Sequence, residues 1–200
     1  MSIASLDQWS AAHRERAEAA LARWVPAGEL ASGRLLEAMR YSALGGGKRL
    51  RALLAYATAE AIGATAELAD HAAAAVEMIH AYSLIHDDLP CMDDDELRRG
   101  RPTSHIVFGE ALAVLSADAL HTLGFQLIAG LPERFALPAM RAARELAVAC
   151  GYPGMVAGQA VDLDYESKPG TEEVLEYIHL HKTAALIRAG SPSTAPTSGR

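Results

Sequence analysis

The chain has 200 residues, enough for one sizeable domain with its own core, and half of them are apolar. The net charge of −7 at pH 7 excludes a general nucleic-acid binder, while two cysteines exclude a disulfide-stabilised scaffold and fit a cytoplasmic protein. Alanine and leucine dominate, and aromatic residues make up only 6%. Because Ala and Leu are strong helix formers, we predict an all-α protein.

The ends of the chain and its apolar stretches give no sign of a membrane protein. The amino terminus, MSIASLDQWSAAHRERAEAA, is charged and lacks the apolar centre of a secretory signal. Glu77 and His80 interrupt the apolar stretch HAAAAVEMIHAYSLI, so it falls short of the roughly 20 apolar residues that a membrane span needs. We therefore expect no membrane span.

Helical patterns follow one another along the chain, and neither a strand pattern nor an internal repeat is evident. Ser5 with Gln8 resembles a capping box that would open the first helix. Glycines at 45–47 end the second helix, Pro138 suits the first turn of a later one, and Thr171 can cap the last. The predicted helices cover about 5–24, 29–44, 48–63, 66–89, a short and a long one within 104–130, then 138–151, 155–164 and 171–189.

The segment GSPSTAPTSGR, residues 190–200, differs in composition from everything before it. It is rich in Ser, Thr, Pro and Gly and contains nothing that could pack in a core. We predict a disordered tail over 190–200 that follows a folded domain over 1–189. Both a regulatory segment and an altered end of the chain stay open as explanations.

The segment HDDLPCMDDDELRRGRPT, residues 86–103, concentrates acidic residues. Pro90 should break or kink the preceding helix, so that Asp93 can fold back towards Asp87 and both carboxylates can reach one ion. Oxygen ligands without accompanying Cys or His suit Mg²⁺. The spacing of Gly and Glu excludes a calcium EF-hand. A solvated acidic loop remains an alternative.

Three arginines, Arg98, Arg99 and Arg101, follow the acidic residues within the same segment. A solvated acidic loop gives no reason for them. A metal ion held by carboxylates beside a group of arginines is a natural site for a diphosphate. The two halves of the segment together therefore favour a metal-dependent phosphate site.

A second basic cluster, GGGKRLR over residues 45–51, lies upstream. Its glycines let the backbone approach an anion, and Lys48, Arg49 and Arg51 follow at a predicted helix N-terminus, whose unpaired N–H groups also favour anions. The order of residues excludes a P-loop. A solvated basic turn stays open as an alternative, but His80, on the helix that leads into the acidic segment, favours an anion site.

These motifs together resemble the trans-isoprenyl diphosphate synthases, the polyprenyl synthetase family. DDLPCMDDDELRRGRPT is similar to the family's first aspartate-rich motif, in the form with two additional residues between the second and third aspartates. GGGKRLR is similar to its isopentenyl diphosphate site, and EMIHAYSLIHDD and GQAVDLD also match. The resemblance runs from about residue 30 to 188. It implies the isoprenoid synthase fold, a bundle of helices around a deep central cavity.

The resemblance also implies a role for each matching residue. Asp87 and Asp93 would hold Mg²⁺, and Asp88 would support them in catalysis. Without the resemblance, Lys182 would be interpreted as a surface lysine and Gln159 as a hydrogen-bonded core amide. Isopentenyl diphosphate would contact Lys48, Arg51, His80 and Arg99, and the allylic substrate would contact Arg98, Gln159, Asp162, Lys182 and Thr183, with Arg98 and Lys182 also serving the catalytic step.

The implied activity is that of a prenyltransferase that condenses isopentenyl diphosphate with dimethylallyl or geranyl diphosphate, and the family is typically homodimeric. Tyr82 and Ser83 lie just before Asp87, where this family sets product length. An aromatic residue there with the two-residue insertion is similar to bacterial farnesyl diphosphate synthases, which implies a C15 product. A regular helix places Tyr82 about 140° from Asp87, so its ring must reach the cavity from the flank. A geranylgeranyl product stays an alternative.

The sequence also departs from the family pattern. No second aspartate-rich motif follows Asp164, and Ala184 stands where a glycine is common. We therefore expect an incomplete domain that lacks its C-terminal helices, with uncovered apolar helix faces and low or no synthase activity. A non-catalytic subunit that binds isopentenyl diphosphate or regulates a synthase stays open. A terpene cyclase is less favoured, because it has no need of GGGKRLR with His80.

Overall fold

The computed structural model describes residues 3–28 and 33–190, whose regular secondary structure is almost entirely helical, as predicted. The predicted start of the second helix near residue 29 and residues 191–200 of the predicted tail lie outside these ranges. In chain order the helices are α1 (Ile3–Trp24), α2 (Gly33–Ala43), α3 (Leu50–Ala61), α4 (Ala66–Asp87), α5 (Ser104–Phe108), α6 (Glu110–Ala129), α7 (Ala136–Cys150), α8 (Met155–Tyr165), α9 (Glu172–Ile178) and α10 (Ala185–Ala189).

Helix α4 forms the centre of the fold and is buried along most of its length. It packs mainly against α6, α3 and α1. Met78 and Ile79 of α4 are completely buried, as is Leu120 of α6. A Cβ placed on Gly124 of α6 would lie 3.2 Å from the carbonyl oxygen of Ala75, so this glycine allows α4 and α6 to approach closely. The central position of α4 fixes the place of the acidic segment that follows it.

The structure confirms one predicted helix cap and contradicts another. The Thr171 hydroxyl accepts a hydrogen bond from the backbone N–H of Val174 at 3.4 Å, which confirms the predicted cap of α9. The capping-box prediction at Ser5 is wrong, because α1 already begins at Ile3 and Ser5 lies inside it. Pro138 is the third residue of α7 and so stands in its first turn, as predicted.

A short hairpin interrupts the helices, and the prediction that the chain contains no strand is wrong here. Strands β1 (Leu97–Arg98) and β2 (Arg101–Pro102) pair antiparallel, with Arg98 opposite Arg101. Arg99 and Gly100 connect them with φ values of 54° and 77°. Two central residues at positive φ are typical of a tight hairpin turn. Each strand has only two residues, which is too short to show an alternating pattern in the sequence. Across this turn, Arg98 pairs with Asp88, while Arg99 donates to the carbonyl oxygen of Gly46.

The last predicted helix is helical but not uniform. Between α9 and α10 the chain forms a π-helical segment over His179–Ala184. Such wide turns are rare and are frequently found at functional sites. This segment contains Lys182 and Thr183, both of which the sequence assigns to the substrate site.

Helix α6 is the part of the structure that bears on the expectation of no membrane span. Among the described residues, it is the one helix that is long and apolar enough, by length and composition alone, to cross a membrane. Its residues Ala113, Ala117 and Leu120 are buried in the core of this fold. Because core helices of soluble proteins pass the same test, the finding is weak and establishes no membrane span.

Candidate active site

A cavity of about 380 Å³ opens at the carboxyl end of α4, where α8 and the π-helical segment also meet. Much of its wall is apolar and comes from side chains such as Met92, Met155 and Leu163. The cavity brings together residues from distant parts of the chain, to which the family resemblance gives substrate-binding, metal-binding or product-length roles: Arg51, His80, Tyr82, Ser83, Asp87, Gln159, Lys182 and Thr183.

Asp87 ends α4 inside this cavity, and only 15% of its side chain is exposed. Burial raises the pKa of the carboxyl to about 6, the Lys182 ammonium opposes this rise, and the nearby Asp93 carboxylate adds to it. The backbone N–H of Asp93 donates to the carbonyl oxygen of Asp87 at 2.8 Å. The chain therefore folds back after Pro90, as predicted, and brings the two carboxylates near each other.

Asp87 and Asp93 are the residues that could hold a metal ion. Within 3–28 and 33–190, no three His, Cys, Asp or Glu side chains are arranged to hold an ion by themselves. Mg²⁺ usually takes one or two carboxylates and completes its coordination with water and phosphate oxygens. A cation would also relieve the electrostatic cost of the partly buried Asp87 carboxylate. Asp87 lines the open cavity, whereas Asp93 is exposed and lines neither cavity. This pair of carboxylates therefore fits Mg²⁺ better than an all-protein metal centre.

Asp88 has a different environment, because it is buried and already paired. The Nη2 atom of Arg98 lies 2.6 Å from its Oδ1, and Nε of Arg98 donates to the same oxygen at 2.8 Å. This hydrogen bond is the main reason that the pKa of Arg98 is raised. Arg98 lines a second, smaller cavity of about 80 Å³ together with Asp88, Arg99 and Arg101. Asp88 therefore orients an arginine.

The residues predicted to bind isopentenyl diphosphate differ in their surroundings, and two of them, Arg51 and His80, line the main cavity. The Nε of Arg51 is buried and has no hydrogen-bond partner among the described residues, and burial lowers the pKa of its guanidinium. Burial and the neighbouring Arg51 lower the pKa of His80 to about 3, so this imidazole is neutral. Lys48 is exposed, and Nη1 of Arg99 donates to the carbonyl oxygen of Gly46 at 2.6 Å.

Arg49 does not face the cavity, contrary to the expectation that it contributes to an anion site. It is 7% exposed and forms ion pairs with Glu18 at 2.7 Å and Glu77 at 3.2 Å. The backbone N–H of Ala52, in the first turn of α3, donates to Glu77 at 3.1 Å. Both the arginine and this helix-end amide are therefore satisfied inside the protein, which the local sequence could not indicate.

Lys182 joins the acidic motif to α8. Its Nζ lies 2.5 Å from Oδ2 of Asp162 and 3.9 Å from Oδ2 of Asp87. Asp162 itself is not among the residues that line the main cavity, so its direct contact is with the lysine. Gln159, one turn earlier on α8, lines the cavity, and its Nε2 is buried without a partner among the described residues. These contacts make a surface position for Lys182 the wrong interpretation.

Tyr82 reaches the cavity from the flank of α4, as the helix geometry requires. Its ring packs edge-on against His86 at 5.4 Å and against His121 of α6 at 4.7 Å between centroids. Burial raises the pKa of its hydroxyl to about 12. The Ser83 hydroxyl donates to the carbonyl oxygen of His80 at 2.9 Å. Tyr82 and Ser83, the two residues predicted to set product length, therefore both belong to the cavity wall.

Sequence reasoning missed Gly158, although it stands in the GQAVDLD motif. A Cβ at this position would overlap with the backbone N of Lys182, so α8 and the π-helical segment can approach only because residue 158 has no side chain. Its position directly before Gln159, a predicted substrate residue, was the one feature of the sequence that could have drawn attention to it. Gly158 thus determines the distance between Lys182 and the rest of the cavity.

Replacing Gly158 with alanine should therefore separate α8 from the π-helical segment. Overpacking of this kind costs about 1–3 kcal/mol, and we expect a corresponding loss in the free energy of unfolding measured by urea titration. Gly33→Ala is the matched control, because a Cβ there meets nothing within 4 Å. Equal stability of the two variants would contradict the close contact at Gly158.

The comparisons with known proteins agree with this geometry. The sequence model of the family Polyprenyl synthetase matches residues 32–199 of this chain. The chain is 50% identical over 187 residues to Farnesyl diphosphate synthase of Escherichia coli (strain K12), covering 92% of this chain and 62% of that protein. It is 51% identical over 169 residues to Heterodimeric geranylgeranyl pyrophosphate synthase large subunit 1, chloroplastic, of Arabidopsis thaliana, with 82% and 46% covered.

The structural comparison gives the same result. A crystal structure of geranyltransferase from Legionella pneumophila superposes with a TM-score of 0.88 at 37% identity, covering 92% of this chain and 66% of that one. The chain thus spans about three fifths of the length of the Escherichia coli relative. The family match includes both the basic cluster and the acidic segment whose side chains meet in the fold. The chain therefore belongs to the polyprenyl synthetase family.

Proposed function

We propose that the protein is a prenyltransferase, which condenses isopentenyl diphosphate with dimethylallyl or geranyl diphosphate to give farnesyl diphosphate. The observation that carries the proposal is the cavity itself, a largely apolar space lined by the partly buried Asp87 and by Arg51, whose Nε has no hydrogen-bond partner among the described residues. An acidic edge suits a metal–diphosphate, and a basic edge suits a second diphosphate. The similarity to a farnesyl diphosphate synthase supports the same activity.

The allylic diphosphate would bind at the acidic edge. Mg²⁺, held by Asp87 and Asp93, would supply positive charge to the leaving diphosphate there. Arg98, oriented by Asp88, and Lys182 add fixed positive charge near the oxygens on which negative charge develops as the allylic C–O bond breaks. The side chains are already hydrogen-bonded in place, so little reorganisation accompanies the reaction.

Isopentenyl diphosphate would bind at the basic edge, through Arg51 and His80 with Lys48 and Arg99. His80 is neutral because burial and the neighbouring arginines lower its pKa to about 3, so it contributes a hydrogen bond rather than charge. The double bond attacks the allylic cation and forms the new C–C bond. The proton lost in the final elimination goes to the departing diphosphate.

The remaining lining residues would protect and orient the cation. Apolar side chains such as Met155 and Leu163 exclude water that would otherwise trap it. Gln159 and Thr183 line the same space and would contact the allylic substrate there. The protein thus acts mainly by positioning two diphosphates and by electrostatic stabilisation.

Product length provides a sharper test of the proposal. The Tyr82 ring lines the cavity, and we expect Tyr82→Ala to deepen it and to shift the longest prenyl diphosphate bound from C15 to C20. Competition binding with C10, C15 and C20 diphosphates measures this shift and does not require turnover. Tyr152→Ala, at a side chain that is 85% exposed, is the control. Unchanged length preference in Tyr82→Ala would contradict the assigned role and leave a geranylgeranyl product open.

Two further properties belong to the same proposal. We expect a homodimer, supported by exposed apolar side chains on α5 and α6, among them Ile106 and Leu115. A cytoplasmic location is supported by the two cysteines, Cys91 and Cys150, both of which are free.

The decisive experiment is product analysis with the 200-residue chain, labelled isopentenyl diphosphate, geranyl diphosphate and Mg²⁺. A C15 product would support the synthase, and its yield would test the prediction of low activity. Metal-free binding of isopentenyl diphosphate without product would favour the non-catalytic subunit. A folded chain that binds neither substrate would contradict both functions.

A further inference from the structure

Glu77 lies in the middle of α4 with 3% exposure, and the reaction proposed above makes no use of its charge. A buried carboxylate is unfavourable unless it is paired and hydrogen-bonded. Both of its oxygens are satisfied: Oε2 accepts from Nη1 of Arg49 at 3.2 Å, and Oε1 accepts from the backbone N–H of Ala52 at 3.1 Å. One side chain therefore holds Arg49 of the basic cluster and Ala52, the residue that directly follows the cluster.

The contact with Ala52 replaces a helix cap that the local sequence does not provide. Helix α3 begins at Leu50, and the residue before it, Arg49, makes no side-chain capping bond. The first amides of a helix have no partner within the helix itself. Glu77 supplies an acceptor from another helix, and its negative charge is also favourable at a helix N-terminus.

The contact with Arg49 holds an unusual backbone conformation. Arg49 has a φ of 50°, a region that residues other than glycine rarely occupy. Its guanidinium binds Glu77, the carbonyl oxygen of Ala43 at 2.8 Å and Glu18 at 2.7 Å, so three elements fix it. Such conformations persist where surrounding contacts over-determine them. The direction in which the chain enters α3 therefore depends on this buried network.

Arg51 lies between the two residues that Glu77 holds. Its guanidinium faces the main cavity, and its Nε has no partner among the described residues. Burial lowers the pKa of this guanidinium, and the charge of Glu77 opposes that effect. His80, which lines the same cavity, is one helical turn from Glu77 on α4. A single turn of α4 therefore carries His80, which lines the cavity, and Glu77, which binds the residues on either side of Arg51.

We propose that Glu77 is a positioning residue for the basic diphosphate site, which holds residues 49–52 so that Arg51 points its guanidinium into the cavity. The identity of the ligand rests on the proposed function, whereas the positioning of Arg51 does not. Glu77 touches no substrate in this scheme and acts only through Arg49 and Ala52.

The test compares two carboxamide substitutions on the same helix. Glu77→Gln removes the charge that holds Arg49, while Asp70→Asn, two turns earlier, removes the partner of Arg16 and Tyr56, which lie away from the cavity. We expect Glu77→Gln to weaken metal-free binding of isopentenyl diphosphate about tenfold and Asp70→Asn to change it less than about twofold. Calorimetric titration measures both, and equal losses in the two variants would overturn the proposal.

Amide hydrogen exchange separates this proposal from the proposed function. Without ligand, exchange at residues 50–52 should accelerate in Glu77→Gln and stay unchanged in Asp70→Asn. If the unaltered chain binds no isopentenyl diphosphate, the assigned ligand is wrong and this exchange alone decides the role of Glu77. If Glu77→Gln does not fold, Glu18→Gln is the alternative variant, because it removes the more exposed of the two carboxylates that bind Arg49. We then expect binding of isopentenyl diphosphate to weaken about threefold and exchange at residues 50–52 to accelerate. Unchanged exchange in the folded variant would overturn the proposal.

Discussion

Replacing Asp87 with asparagine should stabilise the folded chain and abolish its Mg²⁺-dependent binding of geranyl diphosphate. Partial burial beside the cavity raises the pKa of the carboxyl from 3.8 to about 6, so the charged form is disfavoured in the folded state. A shift of this size corresponds to about 2–3 kcal/mol. Asparagine keeps the shape but carries no charge, and it makes a poor ligand for Mg²⁺. Function and stability should therefore change in opposite directions.

The stabilisation by Asp87→Asn should depend on pH in a defined direction. Above about pH 6 the Asp87 carboxyl is ionised in both the folded and the unfolded chain, so its full cost is present. Between about pH 6 and 3.8 the folded form takes up a proton first, and the cost declines. The difference in unfolding free energy between variant and unaltered chain should thus be largest above pH 6 and disappear near pH 4.

Chemical denaturation across this pH range, together with titration of geranyl diphosphate with and without Mg²⁺, measures both effects. Asp164→Asn is the matched control, because this exposed carboxylate on α8 is not among the residues that line the cavity. It should change neither property. Retained Mg²⁺-dependent binding in Asp87→Asn, or a lower unfolding free energy at pH 7.5, would show that Asp87 has another role.

Replacing Arg51 with glutamine should produce the second large effect, a loss of about a hundredfold in affinity for isopentenyl diphosphate without metal. Arg51 lines the cavity, and its Nε has no hydrogen-bond partner among the described residues. A diphosphate in the cavity would give this guanidinium a charge-assisted partner. Because burial already lowers its pKa, the charge is unfavourable in the free protein. The variant should therefore be at least as stable as the unaltered chain.

Calorimetric titration of isopentenyl diphosphate in the presence of a chelator measures this loss. Arg134→Gln is the control, since Arg134 is exposed, stacks over the Phe135 ring at 4.7 Å and is absent from both cavity walls. Its removal changes the net charge equally and tests for a general electrostatic effect. Similar losses in the two variants would mean that Arg51 contributes only through overall charge.

Local sequence signals predicted most of the helices, and the acidic and basic motifs indicated where a site could lie. Glycines at 45–47, the Thr171 cap and Pro90 act within a few residues of themselves, so their effects on the backbone can be recognised without knowledge of the fold. His80 and Asp87 share a helix face because of helical spacing alone. The resemblance to a family then connected these residues with Lys182 and Gln159, far along the chain.

The tertiary structure decided what each polar group is paired with. The sequence contains a row of similar basic residues, yet Arg49 is neutralised internally by Glu18 and Glu77 while Arg51 faces the cavity. Likewise, adjacent acidic residues divide, because Asp88 binds Arg98 and Asp87 does not.

The π-helical segment and the role of Gly158 were equally hidden, since both depend on how closely α8 approaches Lys182. Helical periodicity and capping are properties of neighbouring residues and can be recognised in the sequence. Pairing, burial and the resulting pKa of Asp87 or His80 are instead set by groups that lie far away in the chain, and only folding brings these groups together.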